Sequence, residues 1–414
     1  MIVEREIFEF IDGCEDIAVQ LQTELTGRPA ISPASGGEGE LDKCEFLERW
    51  LMEQGISGLK RYDAPDPRAK GGVRPNLTVT VNGKDGGALP CLWIVSHLDV
   101  VPVGELSLWD SDPWVAVKKD GRLTGRGVED NQQGLVSSVL AAFAFVKLKR
   151  QPERTLKLLF AADEECGSAF GIDWLLKNHR RLFKPGDLVL IPDGGDPAGE
   201  TIEIAEKNQM WLKAHTRGKQ AHASRPEQGR NACLAGADLA LRLRSGLMKK
   251  FSARDTLFEP DYTTVEPTKR EANVPNINTI PGDDVFYMDI RALPCYPVNE
   301  ILEEARRIGL GIEQQYSVQV ELTLIQSMES KPTPKSSPIV KMLSAACKQV
   351  LGVETRPVGI GGGTVGAFLR NEGLDAVVWS RMDSTAHQPN EYCLIENLLS
   401  DAKVMACMAA TASE

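Results

Sequence analysis

Four apolar, strand-like runs in this chain, and one segment just before a helix, each lead into residues able to hold a metal ion or move a proton. "CLWIVS" (91–96) is followed by His97 and Asp99, and "RLTGRGVE" (122–129) by Asp130. "TLKLLFAAD" (155–163) leads into Glu164 and Glu165, "DLVLIP" (187–192) into Asp193, and "DAVVWSRMDSTA" (375–386) into His387. Each one alone reads as a polar residue where a strand meets water. Together, two imidazoles and three carboxylates form a nitrogen and oxygen donor set that suits two divalent ions of the zinc, cobalt or manganese type, one carboxylate bridging. Two such ions, about 3.5–4 Å apart, can hold a water between them, lower its pKa and polarise a carbonyl oxygen. Their charge outweighs that of Asp130, Glu165 and Asp193, so the site favours hydroxide over water. Glu164 is left beside a ligand and is the expected general base, taking a proton from the water and handing it to a leaving nitrogen. Asp99, two residues past His97, is expected to accept the second imidazole N–H and orient the ring.

These residues need elements that bring them to one place. At 414 residues the chain exceeds what one core usually supports, which favours two domains. Helix-like segments at 3–25 and 40–54 open the chain. Strand-like runs, among them "NLTVTV" (76–81), then alternate with helix-like segments at 131–149, 169–182, 337–351 and 391–412. Strands apolar on both faces that alternate with helices predict an α/β fold, a mostly parallel sheet sandwiched by helices. In such a sheet ligands bind beyond the carboxyl ends of the strands, where the candidate residues lie. From 208 to 328 the character changes to amphipathic helices at 230–251 and 298–308 and alternating strands such as "DDVFYMDIR" and "SVQVELTLI". The expected organisation is a catalytic domain in two parts, 1–207 and 329–414, with an inserted α+β lid and dimerisation domain at 208–328.

Composition narrows the functional classes. Hydrophobic residues make up 42% and charged residues 25% of the chain, as in a soluble globular protein. A net charge of -11 opposes binding to a phosphate backbone, so nucleic acid is set aside. Nine cysteines without a C-x-x-C pair are the usage of a reducing compartment. The start "MIVEREIFEFIDG" lacks the basic and uninterrupted apolar regions of a signal peptide, and no run reaches the roughly 18–20 apolar residues of a membrane span. A cytoplasmic protein with no membrane partner is expected.

At these residues the sequence resembles the dinuclear-zinc peptidase and amidohydrolase family that includes carboxypeptidase G, aminoacylase, acetylornithine deacetylase, succinyl-diaminopimelate desuccinylase and non-specific dipeptidases. The resemblance runs through "SHLDVVP" (96–102), "GRGVEDNQQG" (125–134), "AADEECGS" (161–168), "PDGG" (192–195), "HASRPEQGRNA" (222–232), "NTIPGDDVFYMDIR" (278–291), "GGGTVGAF" (361–368) and "AHQPNE" (386–391). It implies two divalent ions, zinc first and cobalt or manganese as alternatives. His97, Asp130 and Asp193 would hold one, and Asp130, Glu165 and His387 the other, with Asp130 bridging. It also implies Glu164 as general base, Asp99 as the carboxylate behind His97, and a cis peptide after Asp130. His222 matches a lid histidine that reaches the reacting carbonyl. Asn278, Arg291, Gly362, Gly363 and Thr364 match positions that hold a substrate carboxylate. The implied activity is hydrolysis of an amide bond in a small peptide or N-acyl-amino acid, by a dipeptidase, carboxypeptidase or deacylase such as a desuccinylase, acting as a homodimer through the lid. Where many relatives have "DMKGG" after the bridging aspartate this chain has "DNQQG", which leaves the ligands alone but alters the helix start beside them.

Rival readings explain less. Gly361, Gly363 and Gly366 fit the G-x-G-x-x-G of a nucleotide-binding oxidoreductase, using the loop at 359–366. No convincing strand precedes them in "TRPVGI", however, and the motif leaves the strand-end acids and histidines unexplained. A catalytically inactive family member would have lost a ligand or the base, and none is missing. Ser96 and Cys166 lack the elbow of a serine or cysteine hydrolase. His179 is expected on a helix surface, His215 on a lid strand, and Trp93, Trp211 and Trp379 in the core.

Overall fold

Apolar residues too dense to alternate make interior strands, and the computed structural model, which describes residues 2–411, shows this for Leu92–His97, buried along its whole length. It lies in an eight-stranded sheet of order Lys60–Pro65, Val73–Val81, Leu156–Ala161, Leu92–His97, Leu188–Gly195, Asp375–Ser380, Thr201–Glu206 and Arg356–Ile360. Leu92–His97 runs parallel to Leu156–Ala161 and to Leu188–Gly195, which in turn runs parallel to Asp375–Ser380. Towards one edge the pairing turns antiparallel through Val73–Val81 and Lys60–Pro65. Four parallel strands therefore deliver their carboxyl ends to one side.

Helices flank this sheet. The helix Gln132–Lys147 is rich in Ala, Leu, Val and Phe and is buried over nearly its whole length. It begins hard against the end of a strand. A Cβ on Gly134 would lie 2.4 Å from the Pro192 carbonyl oxygen, so only glycine permits that approach. The helix Ile395–Ala410 packs on it, and Ser137 inside the interface donates to the Leu398 carbonyl at 2.8 Å. The opening helix expected at 3–25 is two, Ile2–Asp12 and Glu15–Thr26, broken at Gly13 and Cys14. That expected at 169–182 shortens to Ile172–Asn178, because the basic run from Lys177 to Arg181 offers no apolar stripe to bury. The segment "TRPVGI", expected to lack a strand, carries Arg356–Ile360. As the outermost strand it tolerates Pro357, whose missing N–H would break an interior ladder.

The chain divides into two compact units. The first comprises the residues up to Ile204, Thr333–Pro357, and Phe368 onward; the second comprises Ala205–Pro332 and Val358–Ala367. The second holds a four-stranded antiparallel sheet of order Thr264–Arg270, Asp283–Ala292, Asn208–Arg217 and Gln319–Met328. Burial alternates strictly along Asp283–Ala292, and the buried set Phe286, Met288 and Ile290 packs with Leu239, Leu243, Ile301 and Ala305 from the helices Ala232–Lys250 and Val298–Tyr316. The loop 358–367, expected with the catalytic parts, groups instead with this unit. Lys207 donates its N–H to the Ile360 carbonyl at 2.9 Å, and Thr364 Oγ1 donates to Glu206 Oε1 at 2.7 Å. Trp93 and Trp379 are core, but Trp211 is 40% exposed and donates its indole N–H to Asp289 Oδ2 at 2.9 Å. All nine cysteines are free, and among the described residues no helix is long and apolar enough to cross a membrane.

One buried ionic cluster underlies the first unit. Arg74, with no exposed surface, donates Nε to Glu40 Oε2 at 2.6 Å and Nη2 to Glu40 Oε1. Nη2 also lies 3.2 Å from Asp163 Oδ1, and Nη1 lies 3.7 Å from Asp66 Oδ2. Arg74 thus meets three buried carboxylates, of which Asp66 also receives Nε and Nη2 of Arg68 at 2.9 and 3.0 Å. Arg74→Met is expected to lower unfolding stability by about 3–5 kcal/mol in urea titrations, since it takes the cation from Glu40 and Asp163. A loss below about 1 kcal/mol would show that the cluster does not hold the fold.

Candidate metal centre

His97 ends its strand with 3% of its surface exposed. Its Nδ1 lies 3.0 Å from the main-chain oxygen of Asp99, which can only accept, so Nδ1 carries a proton and Nε2 is the nitrogen left for a metal ion. The Asp99 side chain lies beside the same nitrogen and has a second set of partners. Its carboxylate lies 3.5 Å from Nδ1, and its two oxygens accept the main-chain N–H groups of Glu164 at 3.0 Å and Glu165 at 3.1 Å. Asp99 therefore orients His97 through its backbone and fixes the Glu164–Glu165 turn through its side chain. That turn starts at Asp163, whose φ of 63° is left-handed and is held by the Phe170 N–H on Asp163 Oδ2 at 3.1 Å.

The remaining candidates converge on Asp130. Its Oδ1 is 2.9 Å from His97 Nε2, and its Oδ2 is 3.1 Å from His387 Nε2. His97 Nε2 also lies 3.6 Å from Asp193 Oδ1, while His387 Nε2 lies 3.1 Å from Glu165 Oε2. Ligand atoms of His97, Asp130 and Glu165 fall within 4.8 Å of one another, as do those of His97, Glu164 and Asp193. His97, Asp130, Glu164, Glu165, Asp193 and His387 thus meet, and the Asp130–Asn131 peptide is cis. Asp193 is steered by close backbone approach, since Gly195, at φ 148°, sits where a Cβ would be 2.1 Å from the Ser380 oxygen.

Three further residues shape the site and were not anticipated. Asn131, buried, donates Nδ2 to Asp193 Oδ1 at 2.7 Å and to the Pro192 oxygen at 2.5 Å, and its Oδ1 accepts the His97 N–H at 3.4 Å. It lies in the stretch where the chain departs from "DMKGG", which was the only available signal. Glu129 and Glu391, also buried, bind main-chain groups around His387 and Asp130 respectively.

The electrostatics fit a pair of dications. Burial works against a charged His97, but the neighbouring Asp193, Asp130 and Asp99 outweigh it and raise its pKa well above the ordinary value. The bonds from Asp130 and Glu165 lift His387 to about 10. Burial raises Glu164, with the nearby Asp193 adding to it, and burial likewise raises Asp193 and Glu165 against the pull of the histidines. Asp130 is driven the other way: its bonds to His387 and His97 overcome burial and hold it below the carboxylate range. Two rings whose Nε2 lone pairs face carboxylate oxygens demand positive charge between them, a proton or a metal ion on each. Protons and divalent cations compete for those lone pairs, and the nitrogen and carboxylate donors suit zinc or manganese.

The other candidates lie in the second unit. His222 Nδ1 accepts from Ser224 Oγ at 2.8 Å and from the Ser224 N–H at 3.2 Å, which puts the ring proton on Nε2. His222 pairs with Thr279, and Asn278, next to it, gives its main-chain oxygen to the Ala223 N–H at 2.9 Å. Arg291 forks onto Asp289, Nε to Oδ1 at 2.7 Å and Nη2 to Oδ2 at 3.0 Å, and gives Nη1 to the Gly361 oxygen at 2.9 Å. The structure thus joins Arg291 to the loop that carries Gly362, Gly363 and Thr364. The glycines of that loop do follow a strand, but the helix after them, Gly366–Asn371, has only six residues, too short for the dinucleotide pattern.

Residues 93–411 match the family described as peptidase family M20/M25/M40. A metallohydrolase of Methanocaldococcus jannaschii is 39% identical over 94% of this chain and 97% of its own. A succinyl-diaminopimelate desuccinylase of Cereibacter sphaeroides is 28% identical over 90% of this chain and 93% of its own. Among solved structures, human carnosine dipeptidase 1 superposes with a TM-score of 0.75 at 18% identity, covering 99% of this chain and 98% of its own.

The raised histidines give the site a measurable signature. Loading zinc at pH 7 is expected to release about two protons per chain, because His97 and His387 hold theirs at that pH and must shed them to bind. Metal affinity should fall as pH drops, since protons regain the same nitrogens. Calorimetry in two buffers of different ionisation enthalpy reads the number directly, and zinc binding without proton release would remove the histidines as ligands.

Proposed function

The chain belongs to peptidase family M20/M25/M40, and from that membership we propose that it hydrolyses the amide bond of a small peptide or N-acyl-amino acid bearing a free carboxylate. It is a metallohydrolase acting on C–N bonds. The observation that carries the reading is the sharing of Asp130, one oxygen facing His97 and the other His387. That supports one ion among His97, Asp130 and Asp193 and a second among Asp130, Glu165 and His387. Bound there, two divalent ions, zinc foremost and cobalt or manganese as alternatives, would supply Lewis acidity to the scissile carbonyl and acidify a water between them.

The chain's own groups then divide the proton work. Glu164, raised by burial and by Asp193, takes a proton from the attacking water on its carboxylate and returns it to the leaving nitrogen as the C–N bond breaks. His222, with its proton on Nε2, donates to the oxygen that gains charge, and Asn278 adds polar contact beside it. Arg291 has one N–H left on each terminal nitrogen after its bonds to Asp289 and Gly361, a fork that suits a substrate carboxylate. The backbone at Gly362, Gly363 and Thr364 lines the same position. The second unit also supports self-association. Gln319–Met328 is an outer strand of its sheet, and Leu234, Leu241 and Ile325 are exposed in the same unit, features that suit a homodimer formed through it.

A deacylase reading draws on the desuccinylase relative and a dipeptidase reading on the carnosine dipeptidase likeness, and both use the same residues. A hydrolysis panel of dipeptides and of N-acetyl- and N-succinyl-amino acids separates them. Chelation should abolish hydrolysis and zinc, cobalt or manganese should restore it; full activity without metal would end the scheme. Glu164→Ala should keep about two ions per chain and lose about 10²–10⁴-fold in turnover, measured against metal content on the same sample. Arg291→Ala should raise KM for substrates with a free carboxylate more than for their amides, and equal effects on both would remove the anchor.

A further inference from the structure

His387 and Asp130 belong to different loops, and the two are positioned by unequal means. Asp130 opens onto a buried helix, whereas the His387 side chain is 55% exposed, so packing cannot orient it. Its backbone is left-handed at φ 63°, a conformation that needs support for a residue with a Cβ. The support comes from the other loop. Glu129, one residue before Asp130, accepts the Asp383 N–H at 2.7 Å, the Ala386 N–H at 2.9 Å, Thr385 Oγ1 at 2.8 Å and the Thr385 N–H.

The converse contact is built in the same way. Glu391, four residues after His387, accepts the N–H groups of Gly127, Glu129 and Asp130, each at 3.0 Å, and Arg126 Nη1 at 2.6 Å. Each carboxylate thus receives four donors, three of them main-chain N–H groups, across a separation of 256 positions in the case of Glu129 and Thr385. A carboxylate offers about four acceptor sites, so both are filled and neither is free to act as ligand or base. Charge-assisted bonds of this kind are the strong ones.

We propose that Glu129 and Glu391 form a reciprocal clamp of positioning residues, each carried on one ligand loop and binding the backbone of the other. The clamp fixes His387 against Asp130 and so sets the affinity of the Asp130, Glu165 and His387 position for its divalent ion. It rests on the two-ion reading above. His97 and Asp193 stand on strands and on Asn131, so of the first ion's holders only Asp130 touches the clamp, and that ion depends on it less.

The test is zinc retention. Fully loaded protein is dialysed against graded dipicolinate, zinc per chain is measured by mass spectrometry, and melting temperature is recorded on the same samples. Glu129→Gln keeps the shape but turns an amide N–H toward N–H donors. One equivalent of zinc should leave at about 10–100-fold lower chelator than in the wild type while the other stays. Thr385→Val, which removes a single donor and carries the test if Glu129→Gln fails to fold, should shift the same equivalent in the same direction by less. Glu129→Gln with Glu391→Gln should shift it by less than the product of the two, because both act on one geometry. Loss of both equivalents together, or a lower melting temperature with both retained, would mark a structural role and overturn the clamp. A wild type that holds fewer than two ions would instead end the two-ion reading, whereas two ions in the wild type with no shift in the variants would end the clamp alone.

Discussion

A single carboxylate group facing two imidazoles is the constraint on which the first unit is organised. Asp130 can serve both rings only if two loops far apart in sequence reach it from opposite sides, each with its Nε2 leading. Parallel strand pairing is what makes that possible. Leu92–His97, Leu156–Ala161, Leu188–Gly195 and Asp375–Ser380 all point the same way, so the residues that follow them emerge along one side of the sheet. An antiparallel arrangement would send every second loop to the opposite side and scatter the donors. The helices, in covering the sheet, also deliver Asp130 at a helix start beside those strand ends.

Gathering so many acids in one place needs opposing charge deeper in the protein. Arg74 meets Glu40, Asp66 and Asp163, and Glu40 in turn accepts the Asp163 N–H at 3.3 Å, next to the residues that carry the base. Lys43 is also fully buried; burial lowers its pKa to about 8 against the pull of Asp99, Glu40 and Glu391. The polar groups thus form successive shells, with carboxylates that face the site held by N–H groups and carboxylates behind them held by cations. A half-satisfied network of this kind would be worse than an apolar core, and nearly every member has a partner.

The fold class and the strand-end residues could be read from the sequence because both depend on local pattern. Apolar runs of strand length, each closed by His, Asp or Glu, need no knowledge of what packs on what. The second unit's alternating strands were equally plain, as in Asp283–Ala292. What failed depended on long-range contact. The hold of the Asp99 carboxylate on two N–H groups of a turn some 65 residues away could not be read from its place beside His97. Arg356–Ile360 was missed because a proline argues against a strand unless that strand lies at an edge, and edge position is a property of the whole sheet. Glu129 and Glu391 carried no periodic or spacing signal, since their partners are main-chain groups whose identity leaves no trace in side-chain types.

The strand order has a bearing on how the protein comes into being. Asp375–Ser380 lies in the interior of the eight-stranded sheet, between Leu188–Gly195 and Thr201–Glu206, although the chain of the second unit is made between those strands and it. A nascent chain therefore has most of its donors synthesised while the sheet still has an unfilled slot with exposed hydrogen-bonding edges on both sides. His387 follows that late strand by only a few residues. Closing the sheet and completing the donor set are then linked late events of biosynthesis, so a chain cut short before Asp375–Ser380 lacks both.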